Sequence, residues 1–110
     1  MGLFDFAKEN VKKEYKSMLE KLAEFLKENS NAKVSIVGYT DWIGDPNYNV
    51  ELSRRRAIQV QGFLAKKGVK DSQLIVLWHG PNQPVASNKT ALGRAQNRRV
   101  ELMINSSKRK

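Results

Sequence analysis

The sequence has no cysteine and only one histidine, His79. The absence of cysteine excludes a thiolate nucleophile, a cysteine-based zinc site and a disulfide framework. A lone histidine offers little for a zinc site or for a nucleophile that needs an adjacent base. A glycosidase would need two opposed carboxylates, whereas Asp45 near Asp41 lies in a Gly/Pro loop, where aspartate is commonly a turn residue. The sequence therefore predicts no catalytic residue, no metal, no cofactor and no enzymatic activity.

Long apolar runs are also missing. No segment approaches the roughly 20 apolar residues that a membrane-spanning helix needs. The first four residues, Met1-Gly2-Leu3-Phe4, lead directly into Asp5 and a charged helical pattern, so we expect no signal peptide in this sequence. We expect any export signal or membrane attachment to belong to a longer parent protein.

Acidic residues are few, with Asp+Glu 11 against Lys+Arg 20 and a formal net charge of +9. An excess of this kind permits binding to nucleic acid, to anionic membranes or to acidic polymers, but it says nothing about the fold. Part of the excess lies in residues 106–110, which we interpret as a solvated, disordered basic tail. With 110 residues, the chain has the size of one domain, which we assign to residues 1–105.

Apolar periodicity predicts the elements of this domain. Gly2 to Phe6 is interpreted as a strand, and residues 8–29 have an apolar face at helical spacing. Further strands are predicted at 33–39, 73–78 and 98–105, with a second helix from about Tyr48 to Lys67 and a long loop at 79–97 that contains a short helix near 90–95. The order β-α-β-α-β-β favours an α+β two-layer sandwich, with two main helices on one face of a small mixed sheet.

The second predicted strand ends at Asp41, immediately before a Gly/Pro loop and a helix that carries Arg54, Arg55 and Arg56. Successive helical residues are about 100° apart, so the three arginines cannot share a face. Arg56 lies beside the buried side that Ala57 marks, and we expect it to be half-buried near Asp41. A fixed carboxylate and guanidinium match a zwitterion, although an ordinary salt bridge explains the same two residues.

A set of residues along nearly the whole chain resembles the OmpA C-terminal domain family, which includes peptidoglycan-associated lipoproteins and flagellar stator proteins of the MotB kind. The matching residues include Gly38-Tyr39-Thr40-Asp41, Tyr48-Asn49, Leu52-Ser53, Arg56-Ala57, Gly68, Gly80 and the segment from Gly93 to Glu101. The resemblance implies the sandwich fold and non-covalent binding of peptidoglycan through the diaminopimelate of its stem peptide. It also implies a location in the periplasm or cell envelope, with a parent protein associated with the outer membrane.

By the same resemblance, the ligand aspartate corresponds to Asp41 and the ligand arginine to Arg56. Thr40 and Asn49 match neighbouring contact positions, and Asn97 and Arg98 match residues beside the pocket. Asn49 could equally cap the helix. The chain departs from the family where Tyr39 replaces the usual histidine, and where Trp42 and Ile43 form an apolar loop that could face glycan or a partner.

Two other functions remain open at this point. One is an OmpA-like module that binds only proteins, and the other is a basic nucleic-acid-binding domain. Intact Asp41 and Arg56 argue against the first, and the lack of a zinc-finger or RRM signature argues against the second, so we expect no nucleic-acid partner. The oligomeric state stays open, a homodimer included.

Overall fold

The structure of the protein is a computed structural model that describes residues 13–82, 84 and 86–106. Its elements are α1 (Lys13–Glu28), β1 (Ala32–Tyr39), α2 (Pro46–Lys66), a 3₁₀ turn (Asp71–Gln73), β2 (Leu74–Gly80), α3 (Ala91–Asn97) and β3 (Val100–Ser106). The predicted first strand, the start of the first helix and residues 107–110 of the predicted tail lie outside the described residues.

The three described strands form one mixed sheet in the order β2-β1-β3. β1 pairs in parallel with β2, with one register shift between Gly38 and Tyr39, and antiparallel with β3, so it is the middle strand of the sheet. The sheet and the helices beside it confirm the predicted α+β fold. Because β1 has a partner on each side, residues at its ends are held from two directions.

The core lies between the sheet and the two long helices. The apolar faces of α1 and α2 meet the inward side chains of β1, and the fully buried members include Leu19, Leu26, Val34, Ile36, Ala57, Val60 and Leu64. Burying one such leucine or isoleucine stabilises a fold by about 1.5–3 kcal/mol relative to leaving it exposed. The predicted inner faces of both helices are therefore confirmed within the described residues.

Several element boundaries differ from the sequence prediction: β2 continues to Gly80 instead of ending at residue 78, and two further shifts lie beside the predicted site. α2 begins at Pro46 rather than near Tyr48, because the side chain of Asp45 caps it by accepting the Asn47 N–H at 2.9 Å, and proline suits a first helical position. β3 begins at Val100 rather than Arg98, because Arg98 is still the C-cap of α3 and its N–H donates to the Arg94 carbonyl. As a result, Pro46 and Asn47 belong to α2, and Arg98 belongs to the end of α3 rather than to β3.

Candidate functional site

The predicted site lies at the carboxyl end of β1. There the Tyr39 N–H donates to the Arg99 carbonyl at 2.8 Å, and the Thr40 N–H donates to the Gly80 carbonyl at 2.7 Å. These two bonds extend the pairing of the middle strand toward both neighbours. Asp41 therefore follows a backbone segment that is fixed on each side.

The carboxylate of Asp41 has no exposed surface, and among the described residues it has one polar and one charged partner. Its Oδ1 accepts the backbone N–H of Ile43 at 3.0 Å, and its Oδ2 accepts Nη1 of Arg98 at 3.0 Å. The Arg98 side chain is 22% exposed, so this ion pair lies at the boundary between interior and solvent. Each carboxylate oxygen can accept more than one hydrogen bond, so Asp41 retains capacity for an added ammonium.

Arg56 reaches the same place from α2. It is fully buried, rather than half-buried as expected, and its Nη1 donates to the Tyr39 carbonyl at 3.4 Å. The greater burial follows from the close approach of α2 to β1 at Gly38, where a Cβ would overlap the Ser53 carbonyl. A glycine is thus required for the helix to bring Arg56 so near the strand end.

The neighbouring arginines point elsewhere, as helical geometry predicts. Arg54 Nη2 lies 2.7 Å from Oε2 of Glu51, and Arg55 Nε lies 3.5 Å from the same oxygen. Both pairs are exposed on the outer side of α2. Hydrogen bonding with Arg54 lowers the pKa of Glu51, although exposed pairs of this kind contribute little to stability.

Ser53 links α2 to the end of β2, a role that residue patterns alone did not assign. Its hydroxyl donates to the Val50 carbonyl at 2.7 Å and accepts the Gly80 N–H at 2.9 Å. Gly80 has φ of +62°, and a Cβ there would lie 2.7 Å from Val50 Cγ2. The sequence signal was a small hydroxyl residue one turn before Arg56 together with a glycine that ends a strand.

Asn49 holds the loop between β1 and α2. It is buried, and its Nδ2 donates to the Ile43 carbonyl at 2.7 Å and to the Asp41 carbonyl at 3.5 Å. Since Asp45 is the N-cap of α2, the alternative of Asn49 as the helix cap is wrong. Asn49 instead fixes the backbone on both sides of Trp42.

Thr40 provides a buried hydroxyl next to Asp41. Its Oγ1 is enclosed, and no donor or acceptor of the described residues forms a hydrogen bond with it. A buried hydroxyl without a partner costs about 1–3 kcal/mol, so such groups call for a specific explanation. Its position beside the buried carboxylate makes it a candidate for a ligand contact.

Asn97 lies at the end of α3 and organises the preceding loop. Its Oδ1 accepts the Ala86 N–H at 3.1 Å. Its Nδ2 donates to the Ala86 carbonyl at 3.0 Å and to Oδ1 of Asn88 at 2.8 Å. α3 also packs against this loop at Gly93, where a Cβ would overlap the Ser87 carbonyl. These contacts show Asn97 as a support of the segment that leads to Arg98.

Arg99 has different partners from Arg98. Its guanidinium stacks on the Tyr39 ring at 3.6 Å, and its Nε lies 2.7 Å from Oε2 of Glu101. The ring of His79 lies 5.4 Å from that of Tyr39. Burial and the negative charge of Glu101 raise the pKa of Tyr39 above its ordinary value, despite the opposing effect of Arg99. Tyr39 therefore stays neutral at physiological pH.

The outer rim of the site is apolar. Trp42 is 52% exposed, and Ile43 and Tyr48 are likewise exposed. The site as a whole thus combines one buried carboxylate, two guanidiniums and a hydroxyl beneath an apolar rim.

Within the described parts of the chain, no group of three or more histidine, cysteine or acidic residues could hold a metal ion. Nor is any helix among those residues both long and apolar enough to span a bilayer.

Comparison with known proteins identifies the family to which this chain belongs. The model of the OmpA family matches residues 3–98. Outer membrane protein A of Bordetella avium is 41% identical over 106 residues, which cover 96% of this chain and 55% of that protein. The peptidoglycan-binding protein ArfA of Mycobacterium bovis is 41% identical over 88 residues, which cover 80% of this chain and 27% of that protein. The chain therefore spans about half or less of the length of these relatives.

Among solved structures, the peptidoglycan-associated lipoprotein of Burkholderia pseudomallei matches with a TM-score of 0.91 and 34% identity. The match covers 94% of this chain and 88% of that chain. Outer membrane proteins and lipoproteins among the relatives confirm the predicted periplasmic or envelope location, and these relatives are structural proteins rather than enzymes. A match over most of the chain, in sequence and in fold, establishes that the chain belongs to the OmpA family.

Proposed function

We propose that this chain binds peptidoglycan non-covalently, through the diaminopimelate of the stem peptide, and so anchors an envelope protein to the cell wall. The observation that carries the proposal is the burial of Asp41 and Arg56 at one strand end, where Arg56 contacts the residue two positions before Asp41. Two relatives whose names refer to peptidoglycan support the polymer as ligand.

The free end of diaminopimelate bears an ammonium and a carboxylate on one carbon. Asp41 binds the ammonium, and Arg56 holds the carboxylate through charge-assisted hydrogen bonds, for which its planar fork is suited. Arg98 flanks the pair from the solvent side, where it is already bonded to Asp41. A zwitterion therefore adds one charge of each sign to a site that has partners for both.

Uncharged groups shape the rest of the site. The Thr40 hydroxyl contacts the ligand, which gives this buried group the partner that the described residues do not provide. Asn49 fixes the loop over Asp41, and Asn97 holds the segment that positions Arg98. Since Asp41 and Arg56 have no exposed surface, entry requires a local movement of the exposed rim that contains Trp42.

The alternative of nucleic-acid binding rested on net charge and on three consecutive arginines. In the structure these arginines form no continuous basic surface, because Arg54 and Arg55 pair with Glu51 and Arg56 is buried. This arrangement favours a ligand pocket that contains Arg56 over a continuous basic surface that binds nucleic-acid phosphates. The alternative of a purely protein-binding module is an outcome of the experiment below.

The test is co-sedimentation with purified sacculi, with folding checked by circular dichroism. We expect Asp41→Asn and Arg56→Lys to lose binding. We expect Asp45→Asn and Arg55→Lys, which make the same changes at exposed positions, to retain it. Free diaminopimelate should compete, whereas 1,5-diaminopentane, which lacks carboxylates, and pimelate, which lacks amines, should not.

Three results would contradict the proposal. Binding that survives in both folded site variants but disappears with added salt would assign it to the basic surface. Competition by 1,5-diaminopentane as strong as by diaminopimelate would exclude recognition of a carboxylate. Failure of the wild type to sediment with sacculi would leave a protein partner as the function.

A further inference from the structure

The end of the molecule opposite the candidate site carries five exposed lysines, which we term the basic end. They come from the last turn of α1, the start of β1, the last turn of α2 and the residues after it: Lys27, Lys33, Lys66, Lys67 and Lys70. The candidate site follows the carboxyl end of β1, while the basic end surrounds its amino end. With seven steps from Ala32 to Tyr39 at about 3.3 Å each, the two ends are separated by roughly 23 Å.

Specific contacts gather these lysines. The buried Gln73 donates through Nε2 to the carbonyls of Leu26, Asn29 and Ala32 at 2.7, 3.0 and 3.0 Å, which ties the turn after α2 to the turn after α1. The side chain of Lys27 lies directly over Gly68. The basic end is therefore a fixed part of the fold rather than a chance grouping along the sequence.

Positive charge prevails there. Over residues 20–28 of α1 the nearby acids are Glu20, Glu24 and Glu28, joined by Asp71, and Glu20 lies 3.4 Å from Nζ of Lys67. Lys21 lies in the same part of α1, so six lysines against four carboxylates leave an excess of two positive charges. β3 ends at the same place, because Ser106 pairs with Ala32, and the sequence continues from Ser106 into Lys108-Arg109-Lys110.

Apolar side chains adjoin the basic end on the face of the sheet that is turned away from α1 and α2. Lys33 lies on that face, and the next row across the sheet consists of Ile75, Ser35 and Met103. Ile75 is 41% exposed and Met103 is 56% exposed. Exposed apolar groups beside a basic cluster favour a partner that has both an anionic surface and an apolar interior.

We propose that the basic end, together with Ile75 and Met103, is a contact surface for an anionic phospholipid bilayer. Lysines near such a surface are attracted by its negative potential, and apolar side chains gain by entering the headgroup boundary. A polyanion without an apolar phase would use the lysines but not Ile75 or Met103. The lipid contact does not depend on the proposed peptidoglycan site; if both hold, the domain touches wall and membrane from opposite ends.

The experiment is co-sedimentation with vesicles of phosphatidylcholine alone or with phosphatidylglycerol added. We expect binding only to the anionic vesicles. Lys66→Gln/Lys70→Gln should weaken it at least about tenfold, since each lost cation near an anionic surface costs about fivefold. The matched control Arg54→Gln/Arg55→Gln removes two charges from the exposed side of α2 and should have little effect. Ile75→Thr/Met103→Thr should weaken binding without changing the net charge.

Equal losses in the two charge variants would show diffuse attraction and overturn the proposal. A second combination of results would also overturn it. In that combination the wild type binds heparin, the lysine variant loses heparin binding and vesicle binding to the same extent, and Ile75→Thr/Met103→Thr leaves vesicle binding unchanged. Absence of binding to anionic vesicles at roughly physiological ionic strength would also overturn it. Sacculus binding by the lysine variant is measured in parallel, and its retention separates this proposal from that for peptidoglycan.

Discussion

Nη1 of Arg98 lies 3.0 Å from Oδ2 of Asp41, so the carboxylate proposed to bind the ligand ammonium already has a guanidinium partner. Asp41 is fully buried while Arg98 reaches solvent. Arg98 therefore supplies a counter-charge to this buried carboxylate from the solvent side. In the proposed complex, the ligand ammonium would share Asp41 with this guanidinium, and the ligand carboxylate would offer Arg98 a second partner.

The first prediction concerns this ion pair. Arg98→Gln should lower the free energy of unfolding by about 1–3 kcal/mol, because the buried Asp41 carboxylate loses the charged partner of its Oδ2. Urea unfolding gives the value. Arg54→Gln, which breaks an exposed pair with Glu51, should change stability by less than about 0.5 kcal/mol. Equal small changes in both variants would contradict a stabilising role for Arg98.

The second prediction compares two glycines. Gly38→Ala should destabilise the fold by about 3 kcal/mol or more, because its Cβ would overlap the Ser53 carbonyl and force α2 away from β1. Gly62→Ala on α2 has nothing within 4 Å of the new Cβ and should stabilise by about 0.5–1 kcal/mol through helix propensity. Thermal unfolding followed by circular dichroism distinguishes the two. A tolerated Gly38→Ala would mean that the helix can move without loss.

The third prediction tests Gln73, whose amide serves three carbonyls at the turn after α1. Gln73→Leu should cost about 1–3 kcal/mol, because all three carbonyls lose the amide donor, while those of Leu26 and Asn29 keep a backbone N–H donor each. Gln59→Leu makes the same change at an exposed position of α2 and should remain within about 0.5 kcal/mol. Hydrogen exchange would locate the loss. Uniform protection in Gln73→Leu would show that another donor replaces the amide.

Periodicity predicted the core and much of the site. The spacing of Ala57, Val60 and Leu64 fixed the inward side of α2, and with it the inward position of Arg56. Strand alternation does not apply to Arg98 and Arg99, because both precede β3 and Arg98 is the C-cap of α3. The inward side of α2 follows from local geometry, which the sequence specifies directly.

Features that depend on distances between elements were not predictable in the same way. The complete burial of Arg56 results from close packing at Gly38, which no local pattern reveals. The bridge from Ser53 to Gly80 joins residues 27 positions apart, and Gln73 reaches carbonyls more than 40 positions away. The sequence pattern allows Asn49 to be either a ligand contact or a helix cap, because it predicts the start of α2 near Tyr48, two residues after the observed start at Pro46. Tertiary packing decided each of these cases.

The fourth prediction concerns pH. Because burial and Glu101 raise the pKa of Tyr39 in the folded chain, its contribution to stability is complete below the unfolded pKa near 10 and is lost as pH rises through the folded pKa. Tyr39→Phe should remove this part of the alkaline loss. Comparison of urea midpoints between pH 8 and pH 11 isolates the effect from that of the lysines, which titrate in both proteins. Parallel pH profiles would show that the pKa of Tyr39 is not raised.

The last prediction uses the buried Thr40 hydroxyl to separate stability from function. Thr40→Val keeps the shape but removes a group without a hydrogen-bond partner among the described residues, so the free energy of unfolding should rise by about 1 kcal/mol. Sacculus binding should nevertheless weaken about fivefold, the worth of one hydrogen bond. Thr90→Val should show the opposite combination, because loss of the α3 N-cap costs about 1 kcal/mol while binding is retained. A more stable Thr40→Val protein with unchanged sacculus binding would remove Thr40 from the ligand site, whereas a less stable one would show that the hydroxyl serves the fold.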